Sequence, residues 1–191
     1  LWGTSFAGGH VIKTAARDGS VATVISHCPF TDVPASVRDM EFLTLIKVSW
    51  LALRDAVGSV FGRGPVLVPS AGEPGSTAMM TAPDVVPGYL GLVPDGFEFR
   101  NEVAARIALH VIFCRPGRSA AKLRCPALFC VCDEDSVAPA QATLRHLAKS
   151  PHGEIKRYPY GHFDIYVDEP FERVVADQLD FMRRQLPATG G

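Results

Sequence analysis

The sequence predicts an α/β fold, part of a mostly parallel sheet with flanking helices, joined to a mainly helical insertion. Three observations predict it. Short apolar runs of strand length recur near both ends of the chain. Each of the decisive ones stops at a turn carrying a chemically able side chain: Ser5, Asp135 and His162. The spacing between the last two, 27 positions, is room for one crossover helix, which a parallel strand pair requires.

Taken in order, Leu1-Trp2-Gly3 is a short apolar lead into Thr4-Ser5, and residues 6–18 have helix-compatible spacing ended by Gly19. Residues 21–26 (Val-Ala-Thr-Val-Ile-Ser) form a β-branched strand that ends at His27-Cys28-Pro29-Phe30-Thr31-Asp32. About ninety residues then separate this strand from Cys125, far more than one crossover helix needs. Within them, residues 40–61 read as a long amphipathic helix and 62–83 as a Pro/Gly-rich loop. A shorter helix is expected around 84–93, and another over 98–114, stopped by Arg115-Pro116-Gly117. Residues 125–132, opened by Pro126, read as a buried strand, with Cys130 and Cys132 on one face of it. Surface helices over 141–149 and 169–185 flank a last strand at 154–158.

The candidate chemistry sits at the strand ends. Gly3-Thr4-Ser5-Phe6-Ala7 has small residues two before and two after a serine. A sharp strand-to-helix turn needs them, because strand and helix pack closely there. A loop or N-cap serine is the bland alternative for Ser5, as a turn histidine is for His162. The chain order Ser5, Asp135, His162 is serine, acid, histidine. Asp133 and Asp32 compete with Asp135 for the acid position, since both also follow strands. Asp164 is read as capping its local turn, and His27 as a packed histidine near the site.

These pieces together resemble the α/β-hydrolase superfamily, in its serine esterase, thioesterase and S33 peptidase-like branch. The resemblance covers residues 1–36 and about 120–187, and it rests on Gly3-Thr4-Ser5-Phe6-Ala7-Gly8-Gly9, Asp135-Ser136-Val137-Ala138-Pro139 and Tyr160-Gly161-His162-Phe163. Position 7 departs from G-x-S-x-G by one methyl group. The resemblance implies a Ser5 nucleophile, a His162 base, an Asp135 acid and an oxyanion donor at the N–H of Phe6. It implies a core of 1–36 and 120–187 with a helical cap at 37–119, whose Phe42, Leu45, Trp50, Leu53, Phe61, Tyr89 and Leu92 are expected to pack or line a pocket. It also implies about four earlier strands and a second oxyanion donor. These are expected on a missing N-terminal half, whether lost or carried by another chain as a partner. The expected activity is cleavage of an ester, thioester or amide of a small-molecule acyl substrate. An acyltransferase with the same residues, or an inactive remnant serving as an interaction module, is the alternative.

Composition excludes other classes. With 19 basic and 20 acidic residues and no basic run, nothing points to nucleic acid. No apolar run reaches the roughly 18–20 residues of a membrane span. No secretory leader pattern is present, and the five cysteines, odd in number and without a Cys-x-x-Cys pair, read as reduced thiols of a cytoplasmic protein. No cofactor and no metal are expected.

Overall fold

The apolar run after Pro126 forms a strand in which every residue is buried, because the sheet is covered on both faces. The structure is a computed structural model describing residues 1–186; residue 187, the last of the expected core, lies outside them. In chain order it contains β1 (Trp2–Thr4), α1 (Ser5–Ala15), β2 (Val24–His27), α2 (Val33–Ser36), α3 (Phe42–Val60), β3 (Leu67–Val68), β4 (Val103–Ala104), α4 (Ile107–Val111), β5 (Ala127–Cys132), α5 (Ala140–Leu147), β6 (Gly153–Tyr158) and α6 (Asp168–Gln185). The chain divides into two compact units: Leu1–Asp32 with the chain from Arg115 onward, and Val33–Cys114.

The first unit is built on a four-stranded sheet in the order β1-β2-β5-β6, with all three pairings parallel. Period-two alternation sorts β5 between two cores. Ala127, Phe129 and Val131 face Ile12, Ala15 and Leu147 of the helices α1 and α5. Leu128, Cys130 and Cys132 face Tyr158, Val174 and Phe181, the last two from α6. Each fully buried Leu or Phe contributes about 1.5–3 kcal/mol of transfer free energy. Because the strands are parallel and their C-terminal ends coincide, the turns after β1, β2, β5 and β6 meet on one edge of the sheet.

β1 is shorter than an ordinary strand, and helix α1 begins at Ser5 itself. The expected strand over 21–26 is shifted to Val24–His27 by its parallel register with β5, which pairs Val24 with Ala127 and His27 with Cys130.

The second unit is organised by α3. Its buried positions are Thr44, Val48, Ala52 and Asp55, while Phe42, Trp50 and Leu53, expected to pack or line a pocket, are exposed and line an open groove with Leu45. The helix expected over 98–114 forms only in part. Strand β4 pairs antiparallel with β3, and only Ile107–Val111 is helical. The shorter helix expected near 84–93 reduces to one wide helical turn, Val86–Leu90.

Asp55 explains why this segment leaves the helical path. Its carboxylate is buried and accepts the backbone N–H groups of Val66 and Arg106, each at 2.9 Å, just before β3 and just after β4. Burial pushes the Asp55 carboxyl upward, but these two donors and the Arg106 charge outweigh it and hold the group below its ordinary value. Its contribution is therefore complete at neutral pH and fades as pH falls through the carboxylate range. Asp55→Ala is expected to lower the melting temperature and to speed hydrogen exchange at the Val66 and Arg106 amides above all others in the segment. Unchanged protection at those two amides would show that the strand pair stands without the clamp.

Candidate active site

Ser5 is held at the junction of β1 and α1 with φ of 50°, a left-handed conformation that a non-glycine residue rarely keeps. Small neighbours permit the turn. A Cβ on Gly3 would lie 2.5 Å from the Ala7 carbonyl oxygen, and one on Gly9 would lie 2.3 Å from that of Phe30. The turn is tied down from outside by the Phe30 N–H, which donates to the Ser5 carbonyl at 2.9 Å. Behind it, the hydroxyls of Thr4 and Tyr166 are hydrogen-bonded to each other.

The loop after β6 brings His162 to this serine, with Nε2 at 2.9 Å from Ser5 Oγ. The other ring nitrogen, Nδ1, lies 2.8 Å from Asp135 Oδ2. A carboxylate only accepts, so Nδ1 carries the proton and Nε2 presents a lone pair to the serine hydroxyl. Asp135 is oriented in turn by the turn after β5, whose Val137 and Ala138 N–H groups donate to Oδ1 at 2.9 and 2.5 Å. The side chains of His162 and Asp135 are 2 % and 3 % exposed, so both hydrogen bonds are shielded from water.

Of the sequence candidates, Ser5, His162 and Asp135 thus form one continuous hydrogen-bonded chain. Phe6 is the second residue of α1, and its N–H belongs to the first turn, where helix amides have no intrahelical acceptor. Asp32 is elsewhere engaged, 2.9 Å from His146 Nε2 and 3.7 Å from Arg115 Nε. Asp133 pairs with Arg157 at 2.8 Å. Asp164 accepts the Gly161 N–H at 2.8 Å and shapes the His162 loop.

Two neighbours complete the surroundings. His27, beside Thr4 in the β1–β2 register, is 2 % exposed, stacks on Tyr166 and takes the Gln178 side-chain N–H on Nδ1 at 3.0 Å. Burial, and then the charge of His162, push its pKa down to about 4. Cys28, which follows it with φ of 46°, places Sγ 2.9 Å from Asp135 Oδ2 and 3.0 Å from His162 Nδ1. From the sequence Cys28 is one of five reduced thiols and no site residue. Its place one residue past a strand end was the available signal.

Cys28, Asp135 and His162 also bring donor atoms within 4.8 Å of one another, the arrangement a metal ion would use. Burial first, then the neighbouring Cys132 and Asp135, drives the Cys28 thiol well above its ordinary pKa. Among the described residues, no helix is long and apolar enough to cross a membrane.

The parallel sheet with its flanking helices has counterparts among solved structures. Alpha/beta hydrolase GrgF from Penicillium sp. sh18 superposes with a TM-score of 0.74 at 22% identity, covering 97% of this chain and 63% of GrgF. The chain therefore has the α/β-hydrolase fold, of which it carries a part. Among curated proteins it is 54% identical over 187 residues to quorum-quenching protein AidA of Acinetobacter baumannii, covering 98% of this chain. It is also 25% identical over 191 residues to a polyketide transferase of Aspergillus fumigatus. It spans 62% of the length of the first of these relatives and 63% of the second. No family model matches the chain.

Proposed function

We propose that Ser5, His162 and Asp135 are the nucleophile, base and acid of a serine hydrolase that cleaves an ester or thioester of a small molecule through an acyl-enzyme. The observation that carries this reading is the 2.9 Å approach of His162 Nε2 to a serine held at positive φ at a helix N-terminus. A free serine hydroxyl is a weak nucleophile, so a base must take its proton as it attacks. His162 Nε2, with its lone pair toward Ser5 Oγ, fills that role and returns the proton to the leaving group. Asp135 fixes the tautomer and stabilises the imidazolium that forms. The Phe6 N–H and the positive end of α1 face the charge that develops on the substrate carbonyl oxygen.

The likeness to a quorum-quenching protein supports a signalling molecule as the small-molecule substrate. The relationship to a polyketide transferase supports a second reading, in which an acceptor other than water takes the acyl group from Ser5. Both run through the same acyl-enzyme.

A fluorophosphonate probe tests the shared step. The chain, shown to unfold cooperatively, is expected to take up the label, and Ser5→Ala is expected to lose it with a nearly unchanged melting temperature. Undiminished labelling of Ser5→Ala would place the nucleophile elsewhere. A folded chain that takes no label would favour a remnant acting as an interaction module.

A further inference from the structure

The Cys28 thiol lies against the hydrogen bond between His162 and Asp135 and plays no part in the proton path from Ser5. It is 1 % exposed, and its left-handed backbone turns Sγ back toward the end of β5 instead of continuing along β2. We propose that Cys28 is a positioning residue for His162: its S–H donates to Asp135 Oδ2, the same oxygen that receives the Nδ1–H of His162. The consequence for catalysis rests on the role of base proposed for His162, whereas the hydrogen bond itself does not.

The donor count supports this assignment. Oδ1 of Asp135 accepts two backbone N–H groups. Oδ2 has His162 Nδ1 at 2.8 Å and Cys28 Sγ at 2.9 Å. Both oxygens therefore have two partners, and the carboxylate plane is fixed against rotation toward or away from the imidazole. The thiol must be protonated to serve, and burial first, then the neighbouring Cys132 and Asp135, raise its pKa and keep the proton on sulfur. A neutral donor at Oδ2 spreads the carboxylate charge over a second partner, so the imidazole meets less negative charge than it would from a singly bonded oxygen.

The groups facing this cluster come from every neighbouring turn. Asp135 and Cys132 belong to the end of β5, and Tyr166 to the segment before α6, within electrostatic reach of Cys28. His162 also meets Ser5, and it feels His27 across β2. Cys28 Sγ reaches both the acid and the base, 2.9 Å from Asp135 Oδ2 and 3.0 Å from His162 Nδ1, and its S–H is a neutral, removable donor.

Removing it has a defined sign. In Cys28→Ala, Oδ2 is left to His162 alone, and the greater charge facing the ring favours the imidazolium. The pH midpoint at which the His162 ring signals change in NMR is expected to rise relative to wild type. The acid limb of fluorophosphonate labelling should move up by the same amount. Cys28→Ser, which keeps an O–H donor, is expected to restore both toward wild type. A purely structural role would lower the melting temperature of both variants and move neither midpoint, and that result would overturn the proposal.

An infrared reading needs no change at Cys28. The S–H stretch of the bonded thiol is expected at lower frequency than those of the other cysteines, and Asp135→Ala is expected to return it to theirs. A Cys28 stretch already at the ordinary frequency in wild type would overturn the hydrogen bond. The NMR and infrared signals require no turnover. A failed Ser5 label with a shifted His162 midpoint therefore refutes the proposed function and leaves the thiol's role standing.

Discussion

Asp135→Asn is expected to lower turnover by on the order of 10⁴-fold, while Asp32→Asn and Asp133→Asn hold it within about threefold. The large effect follows from which atom faces His162. An asparagine keeps its amide oxygen where the Val137 and Ala138 N–H groups require an acceptor, which places the NH₂ toward Nδ1. Two donors then oppose each other, so the imidazole moves its proton to Nε2. The nitrogen 2.9 Å from Ser5 Oγ becomes a donor and no longer accepts the serine proton. The fold is little disturbed, because the backbone donors remain satisfied. Asp32 and Asp133 instead spend their carboxylates on His146 and Arg157. A half-exposed ion pair of that kind is worth at most about 1 kcal/mol and has no route to Nδ1. Turnover with a chromogenic ester, read beside the melting temperature, decides the ranking. An Asp32→Asn loss matching that of Asp135→Asn would move the acid to the turn after β2.

The same comparison shows how much of the site the sequence carried. Ser5, Asp135 and His162 were visible because each follows a short apolar run, and parallel strands bring such ends together. The choice among Asp32, Asp133 and Asp135 was less visible. It depends on which carboxylate the turn after β5 aims at Nδ1, and the sequence offers that turn only as Ser136-Val137-Ala138-Pro139. Cys28 was hidden for a related reason: its contact with Asp135 spans 107 positions and depends on a left-handed backbone that nothing in Cys-Pro demands. In the second unit, residues 98–114 carry enough apolar spacing to read as a helix. They fold otherwise because Val103 and Ala104 find partners in Val68 and Leu67, and because the Arg106 N–H is claimed by Asp55, 51 positions earlier. Periodicity registers neighbours along a helix and is blind to both contacts.

Acidification from pH 7 to pH 4 is expected to cost the first unit about 3 kcal/mol through His27 alone. The ring is buried against Tyr166, and Nδ1 accepts a hydrogen bond from Gln178, whose own oxygen takes the Trp2 indole N–H at 2.9 Å. The tautomer so fixed puts the proton on Nε2, a buried atom with no hydrogen-bond partner among the described residues. A second proton has nowhere favourable to go: it would displace the Gln178 donor, and it would add charge in a desolvated place within reach of His162. Burial first, and then the nearby His162, lowers the folded pKa to about 4 from the ordinary 6.5. The sign follows from proton counting. Between those two values the unfolded chain binds the proton and the folded chain does not, so stability is complete above about pH 6.5 and drains away as pH drops toward 4. Other carboxylates also titrate in this range, but they do so equally in a variant lacking the ring. Denaturant unfolding at several pH values, in wild type and in His27→Asn, therefore isolates the term. Asparagine retains an acceptor near the position of Nδ1 but does not titrate. Its baseline stability is lower for want of the stacking contact, yet its decline toward acid should be shallower by about that 3 kcal/mol. Parallel declines would mean that His27 takes its proton inside the folded protein. The strand end next to Ser5 would then tolerate a charge that this burial is expected to exclude.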